Sequence, residues 1–219
     1  TRSYSVTGVQ TCARPIYYDE LIGRDKEKWI KLFGDGDFAV LRLTPEKYHY
    51  NHAPVAGRVV DYYHIAGAYN SCHPDAVIST CTPYSKNKRV VTVINTDVPG
   101  GTQVGLVAMV EVVALMIGDI VQCYSDHHYD SPTTMGPGLF MRKGQPKSLF
   151  RPGSSTVILF FEKDRIRFAD DIAANMSAYG VQSLFNQGFG RHLVETDIKV
   201  RSRIGTVLGI SNLKGSDVS

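Results

Sequence analysis

Gly153-Ser154-Ser155 lies in a tight polar turn that follows Phe150-Arg151-Pro152 and feeds the apolar run Thr156-Val157-Ile158-Leu159-Phe160-Phe161. This is the pattern of a turn entering a buried strand. Gly153 reaches backbone angles closed to other residues, and the Ser154 hydroxyl lies within reach of the carbonyl before it. Attack there turns the Gly153–Ser154 amide into an ester. Elimination then splits the chain and leaves a dehydroalanine, which hydrolyses to a pyruvoyl group and ammonia. A Pro-Gly-Ser-Ser turn by itself is ordinary turn chemistry. A second segment, Tyr48-His49-Tyr50-Asn51-His52-Ala53-Pro54, lies roughly a hundred residues upstream and changes the odds.

A serine that attacks a carbonyl needs a base, and histidine is the usual one near neutral pH. In an extended segment, His49 and His52 would face opposite sides, one serving the turn and the other a substrate, although a turn would bring them together. A metal site is the competing reading, with His64, His73, His127, His128 or His192 as further ligands. Pro45 and Pro54 bracket the pair and argue against the helix that would align them, and no Cys or carboxylate completes a recognisable set. No metal is assigned. A third reading makes both histidines polar residues satisfied within a sheet.

Taken together, the two segments resemble the phosphatidylserine decarboxylase family of self-cleaving pyruvoyl enzymes, with its Tyr-His-x-x-His-x-Pro and Gly-Ser-(Ser)-Thr-Val-Ile patterns in the same order. The resemblance runs from Asp37 to Phe161, with a weaker echo from Glu195 to Gly205. It implies a decarboxylase that converts phosphatidylserine to phosphatidylethanolamine, with cleavage between Gly153 and Ser154 and a pyruvoyl cofactor made from Ser154. By the same resemblance His52 is the base for cleavage, while His49 is the candidate proton donor in decarboxylation. Ser155 would support the oxyanion. The pyruvoyl carbonyl condenses with a substrate amine and takes up the electrons left by departing carbon dioxide, the task pyridoxal phosphate performs elsewhere. The family also has an upstream acid that orients the processing histidine. Nothing before Asp19 is acidic, and no Asp or Glu here matches that motif. The expected partners are a phospholipid substrate and membrane surface, the chain's own cleaved fragments, and a second copy in a homodimer. The expected location is the cytoplasmic side, in peripheral contact with membrane. Two other functions compete: a relative that decarboxylates a free (for example aromatic) amino acid, and a non-catalytic β-module. Carrier modules present a lysine at a hairpin tip, and no Met-Lys tip occurs.

At 219 residues, 43% hydrophobic and 21% charged, the chain suits one sizeable globular domain. Val6 to Ile16 resembles a translated sequencing adapter with Arg14 the one difference, so residues 1–16 read as a non-native segment and 17–219 as the domain. Residues 1–16 carry Arg2 and Arg14 and no acid. Leaving them out lowers the formal charge of +3 by two, to +1, so no nucleic-acid partner is expected. Without Cys12 there remain Cys72, Cys81 and Cys123, an odd set that suits a reducing compartment. The nearest candidate for a membrane span, Val104 to Val121, is interrupted by Glu111 and Asp119 and is too short between those charges to cross a bilayer. A membrane anchor would belong to a missing N-terminal region.

The elements that must hold these residues are mostly strands. Patterning predicts a mainly β (α+β) fold, a single sandwich- or barrel-like domain with short peripheral helices. Strands are expected at Phe38–Leu43, Gly57–His64, Arg89–Asn95, two within Gln103–Val121, one after the Gly-Ser turn and one in the tail from Glu195 to Leu208. Helices are expected at Tyr17–Phe33, ended by Gly34, and at Phe168–Tyr179, stopped by Gly180. Loops are expected at Gly67–Asp75 and Asp126–Gly138.

Overall fold

The computed structural model describes residues 18–43, 48–79, 83–115, 118–151, 155–185 and 194–208, together with the backbone of 3–9. In chain order the elements are β1 (Ser3–Val9), α1 (Tyr18–Ile22), α2 (Glu27–Phe33), β2 (Phe38–Leu43), β3 (Tyr50–His52) and β4 (Gly57–Ile65). Next come α3 (Pro74–Ser79), α4 (Pro83–Lys86), β5 (Arg89–Asn95), β6 (Leu106–Val112), β7 (Ile120–Gln122), β8 (Phe140–Met141) and β9 (Pro146–Phe150). The chain continues through β10 (Ser155–Phe161), β11 (Ile166–Phe168), α5 (Asp170–Met176), β12 (Thr196–Lys199) and β13 (Gly205–Val207).

Eight strands form one antiparallel sheet in the order β12-β1-β2-β10-β6-β5-β4-β8, which curls into a half-barrel. A three-stranded sheet, β3-β9-β7, and a two-stranded one, β11-β13, complete the strands. The mainly β reading holds. Alternation along the central strands builds two cores. Val157, Leu159 and Phe161 of β10 pack with Leu43, Met109 and Phe150 on one face, and Ile158 and Phe160 pack with Leu21, Phe33 and Tyr84 on the other. Every side chain of β10 is buried, as its unbroken apolar run requires.

Three local expectations are corrected. The single helix expected from Tyr17 to Phe33 is two, because Gly23 takes φ +107° and its N–H closes onto Asp19 O, ending α1. The loop expected at Gly67–Asp75 ends at Pro74, which opens α3; Pro83 likewise opens α4. The tail holds two strands rather than one. A turn in which Ser202 N–H donates to Lys199 O, with Arg201 at φ 69°, separates β12 from β13 and sends them to different sheets. Among the described residues no helix is long and apolar enough to cross a membrane.

Candidate active site

The histidine segment is extended. Tyr50 of β3 pairs with Leu149 of β9 and Asn51 with Ser148, and the Phe150 N–H donates to His49 O at 3.0 Å. The strand carrying His52 therefore lies beside the strand that leads to Gly153-Ser154, with His49 opposite Phe150 at the end of β9 and His52 opposite Pro146 at its start. Tyr48, Tyr50 and His52 share one face, with Tyr48 stacked on His52 at 5.7 Å and tilted against Tyr50 at 5.5 Å. The alternation puts His49 on the Asn51 side, so the two histidines separate as an extended segment demands. His49 Nε2 is buried without a hydrogen-bond partner.

His52 is held from both ring nitrogens. Its Nδ1 lies 2.8 Å from Gly144 O, and its Nε2 lies 2.9 Å from the Tyr48 hydroxyl. A carbonyl oxygen only accepts, so Nδ1 carries the proton and Nε2 is the basic nitrogen of the neutral ring. The turn that supplies this carbonyl is fixed in return, as Gly144 N–H donates to Ala53 O. Gly144 sits at φ 81°, a conformation that favours glycine.

Both segments that flank Gly153-Ser154 are anchored. Arg151 N–H donates to Asp119 O at 3.0 Å, and Ser155 pairs with Leu43 as β10 enters the large sheet between β2 and β6. The chain thus leaves the three-stranded sheet after Phe150 and is in the eight-stranded one from Ser155. Pro152, Gly153 and Ser154 lie outside the described residues. Ser155 is 2% exposed, and its hydroxyl has no hydrogen-bond partner. Strand alternation aims it to the same face as Val157 and Leu159. Those two side chains help to line a cavity of about 330 Å³ that also contains Asn51 and His52.

A buried ionic network that sequence reasoning missed underlies β3. Glu111 of β6 and Lys147 of β9 are both fully buried and meet at 2.6 Å. Lys147 Nζ also donates to Gln122 Oε1 at 2.8 Å, and Gln122 Nε2 donates to Glu111 at 3.2 Å. Asn51 Nδ2 donates to Ser148 Oγ at 2.8 Å and to Glu111 at 3.3 Å, while the Ser148 hydroxyl donates to Glu111. One carboxylate therefore binds all three strands of the small sheet to the middle of the large one, and it grips the residue between the two histidines. The signal in the sequence was Glu111 itself, a lone acid inside an apolar strand.

Among the described residues the other histidines do not join the pair. His64 bonds the Tyr62 hydroxyl, His73 lies by Asp75 and His127 sits in a surface turn, while His192 lies outside the described residues. No group of three or more His, Cys, Asp and Glu side chains could hold a metal among the described residues.

Comparison with known proteins decides the family. The model of the phosphatidylserine decarboxylase family matches residues 7–186. The chain belongs to this family. It is 33% identical over 176 residues to a phosphatidylserine decarboxylase proenzyme 2 of Oryza sativa, covering 80% of this chain and 25% of that one. It is 34% identical over 162 residues to a phosphatidylserine decarboxylase proenzyme of Chlamydia trachomatis serovar L2b, covering 73% and 48%. A Fusobacterium nucleatum phosphatidylserine decarboxylase proenzyme is 33% identical over 151 residues, covering 69% and 45%. The chain spans a quarter to a half of the length of these curated relatives.

Proposed function

We propose that this chain carries the self-cleaving and decarboxylating centre of a phosphatidylserine decarboxylase, which releases carbon dioxide from phosphatidylserine to leave phosphatidylethanolamine. The observation that carries the reading is the adjacency of two strands: β3, bearing His52, runs beside β9, which delivers the chain to the Gly153–Ser154 bond. Cleavage there yields fragments 1–153 and 154–219.

In maturation, His52 Nε2 takes the Ser154 hydroxyl proton as the oxygen attacks the Gly153 carbonyl. The Tyr48 hydroxyl occupies that nitrogen at rest and frees it by turning its proton to the Tyr129 hydroxyl, while Gly144 O replaces a carboxylate in fixing the tautomer. The Ser155 hydroxyl, buried and unpartnered, is a donor for the oxyanion.

The pyruvoyl group formed at position 154 supplies the carbonyl that holds the substrate amine and serves as an electron sink. The described residues fit such a group, since a buried hydroxyl without a partner adjoins position 154 and the neighbouring cavity is walled largely by apolar side chains. His49, whose Nε2 is likewise unpartnered, returns the proton to the substrate carbon. The apolar walls exclude water from that carbon until it is protonated. We place the protein at the cytoplasmic face of a membrane, where its lipid substrate resides, with a homodimer as a further expected assembly.

The test is carbon dioxide release by the full-length protein from carboxyl-labelled phosphatidylserine. Release from the lipid but not from free phenylalanine or tyrosine supports the reading. Release from a free amino acid alone selects the soluble-substrate relative, and release from neither selects the non-catalytic module.

A further inference from the structure

The cavity beside His52 is apolar inside and cationic at its mouth. Leu41, Met109, Val157, Leu159, Ile198 and Ile204 contribute to its walls, whereas Lys143, Lys199 at the end of β12 and Arg201 line it from exposed positions. These three cations have no ion pair among the described residues. Nearby basic residues are engaged elsewhere: Lys86 with Glu20, Lys88 with Asp119, Arg142 with Asp126 and Lys147 with Glu111.

Arg201 stands apart within that set. Its backbone lies at φ 69°, where glycine is at ease and a side chain is strained. Its side chain reaches back across the mouth onto Gly144, where a β-carbon would lie 3.9 Å from its Cδ and 4.0 Å from its Nε. Gly144 is the residue whose carbonyl holds His52. The strained turn thus delivers a guanidinium to the rim of the cavity, one residue's breadth from the imidazole.

We propose that Arg201, with Lys143 and Lys199 beside it, is the anion subsite of this centre and binds a phosphodiester attached to the reacting amino acid. The proposal rests on the decarboxylase reading above and adds what that reading lacks, a reason to choose phosphorylated amines over free amino acids. A guanidinium offers paired donors matched to phosphate oxygens, and lysines add point charge. The apolar walls beyond them suit the glyceryl and acyl portion of an amphiphile.

The subsite is tested in the full-length protein with glycerophosphoserine, a soluble phosphodiester without acyl chains, and with phosphatidylserine in mixed micelles. Arg201→Gln and Lys199→Gln together should leave self-cleavage complete and kcat within about twofold. KM for both substrates should rise about tenfold or more, the loss expected for charge-assisted bonds. Arg201→Gly should raise KM in the same way while keeping or raising Tm, because glycine relieves the strained φ. Arg201→Lys should recover part of the loss. An increase in KM confined to the micellar lipid would mean that the cations meet a membrane surface instead, and an unchanged KM for glycerophosphoserine overturns the subsite. If the wild type decarboxylates nothing, the decarboxylase reading fails by itself. Equilibrium dialysis of glycerophosphoserine against Ser154→Ala protein, with and without Arg201→Gln, then decides the subsite alone: tenfold weaker binding with the second substitution supports it, and equal binding overturns it.

Discussion

The Nδ1 of His52 lies 2.8 Å from the carbonyl oxygen of Gly144, a residue 92 positions later in the chain. A backbone carbonyl thus does the orienting that a carboxylate does in Ser-His-Asp sites. It fixes the tautomer but adds no full negative charge to favour the imidazolium. His52→Ala should therefore block cleavage, slowing it by at least about a hundredfold. Tyr48→Phe, which removes the hydroxyl that competes for Nε2 but keeps the stacked ring, should not slow it. His49→Ala should still cleave and then fail to release carbon dioxide. Time courses of fragment formation on denaturing gels, paired with carbon dioxide assays, separate the three, and identical behaviour of the two histidine variants would refute their division of labour.

The Glu111–Lys147 pair predicts a large and asymmetric response to substitution. Lys147→Met leaves a buried carboxylate without its cation and should destabilise the protein by about 3–5 kcal/mol. Replacing both partners, Glu111→Leu with Lys147→Met, should recover much of that loss because no charge is left stranded. Urea denaturation measures both. Equal stability of the single variant and the wild type would show that the network holds nothing.

Stability should also fall in acid through Glu20. Its bonds from the Lys86 ammonium and the Ser85 hydroxyl hold its carboxyl at about 2, below the ordinary 4.5. The folded value is the lower one, so this contribution is present above pH 4.5 and is lost as the pH falls from there toward 2. Lys86 is half exposed, so screening keeps the effect to about 1 kcal/mol. Glu20→Gln should therefore differ from wild type at pH 6 and converge on it near pH 2.5. A gap that persists in acid would place the stabilisation elsewhere.

Much of the fold was legible because the central strands are written in unbroken apolar runs. Phe38–Leu43, Arg89–Asn95 and the run from Ser155 all emerged as strands, and of the two buried strands expected within Gln103–Val121 one is β6, while the other, β7, only begins there and is mostly half-buried. Short elements were not legible, since α3 and α4 begin at prolines that also start turns and Gly23 breaks a helix whose periodicity runs on past it. Of the site, the extended histidine segment was legible because Pro45 and Pro54 bracket it and argue against a helix, whereas Gly153-Ser154 lies outside the described residues. The Glu111 network and the Gly144 carbonyl were not legible, because each depends on pairing across more than 30 residues, and a backbone carbonyl leaves no mark in a sequence.

Which serine becomes the pyruvoyl group follows from ring size. Each hydroxyl can attack only the carbonyl before it through a five-membered ring. Ser154 faces Gly153, which has no β-carbon, whereas Ser155 faces the more crowded Ser154. Ser154→Ala should abolish cleavage, and Ser155→Ala should slow it without moving the bond. Mass spectrometry of the small fragment decides this, and a wild-type fragment that begins at residue 155 would reverse the assignment.

The central claim is self-cleavage, and intact-mass spectrometry of the full-length protein tests it most directly. Under denaturing conditions the account predicts two species separated at Gly153–Ser154, the C-terminal one beginning with a pyruvoyl group in place of Ser154. Under native conditions the same sample should show one particle, because β10 of the small fragment sits between β2 and β6 of the large one. A single uncleaved chain under denaturing conditions would contradict the account.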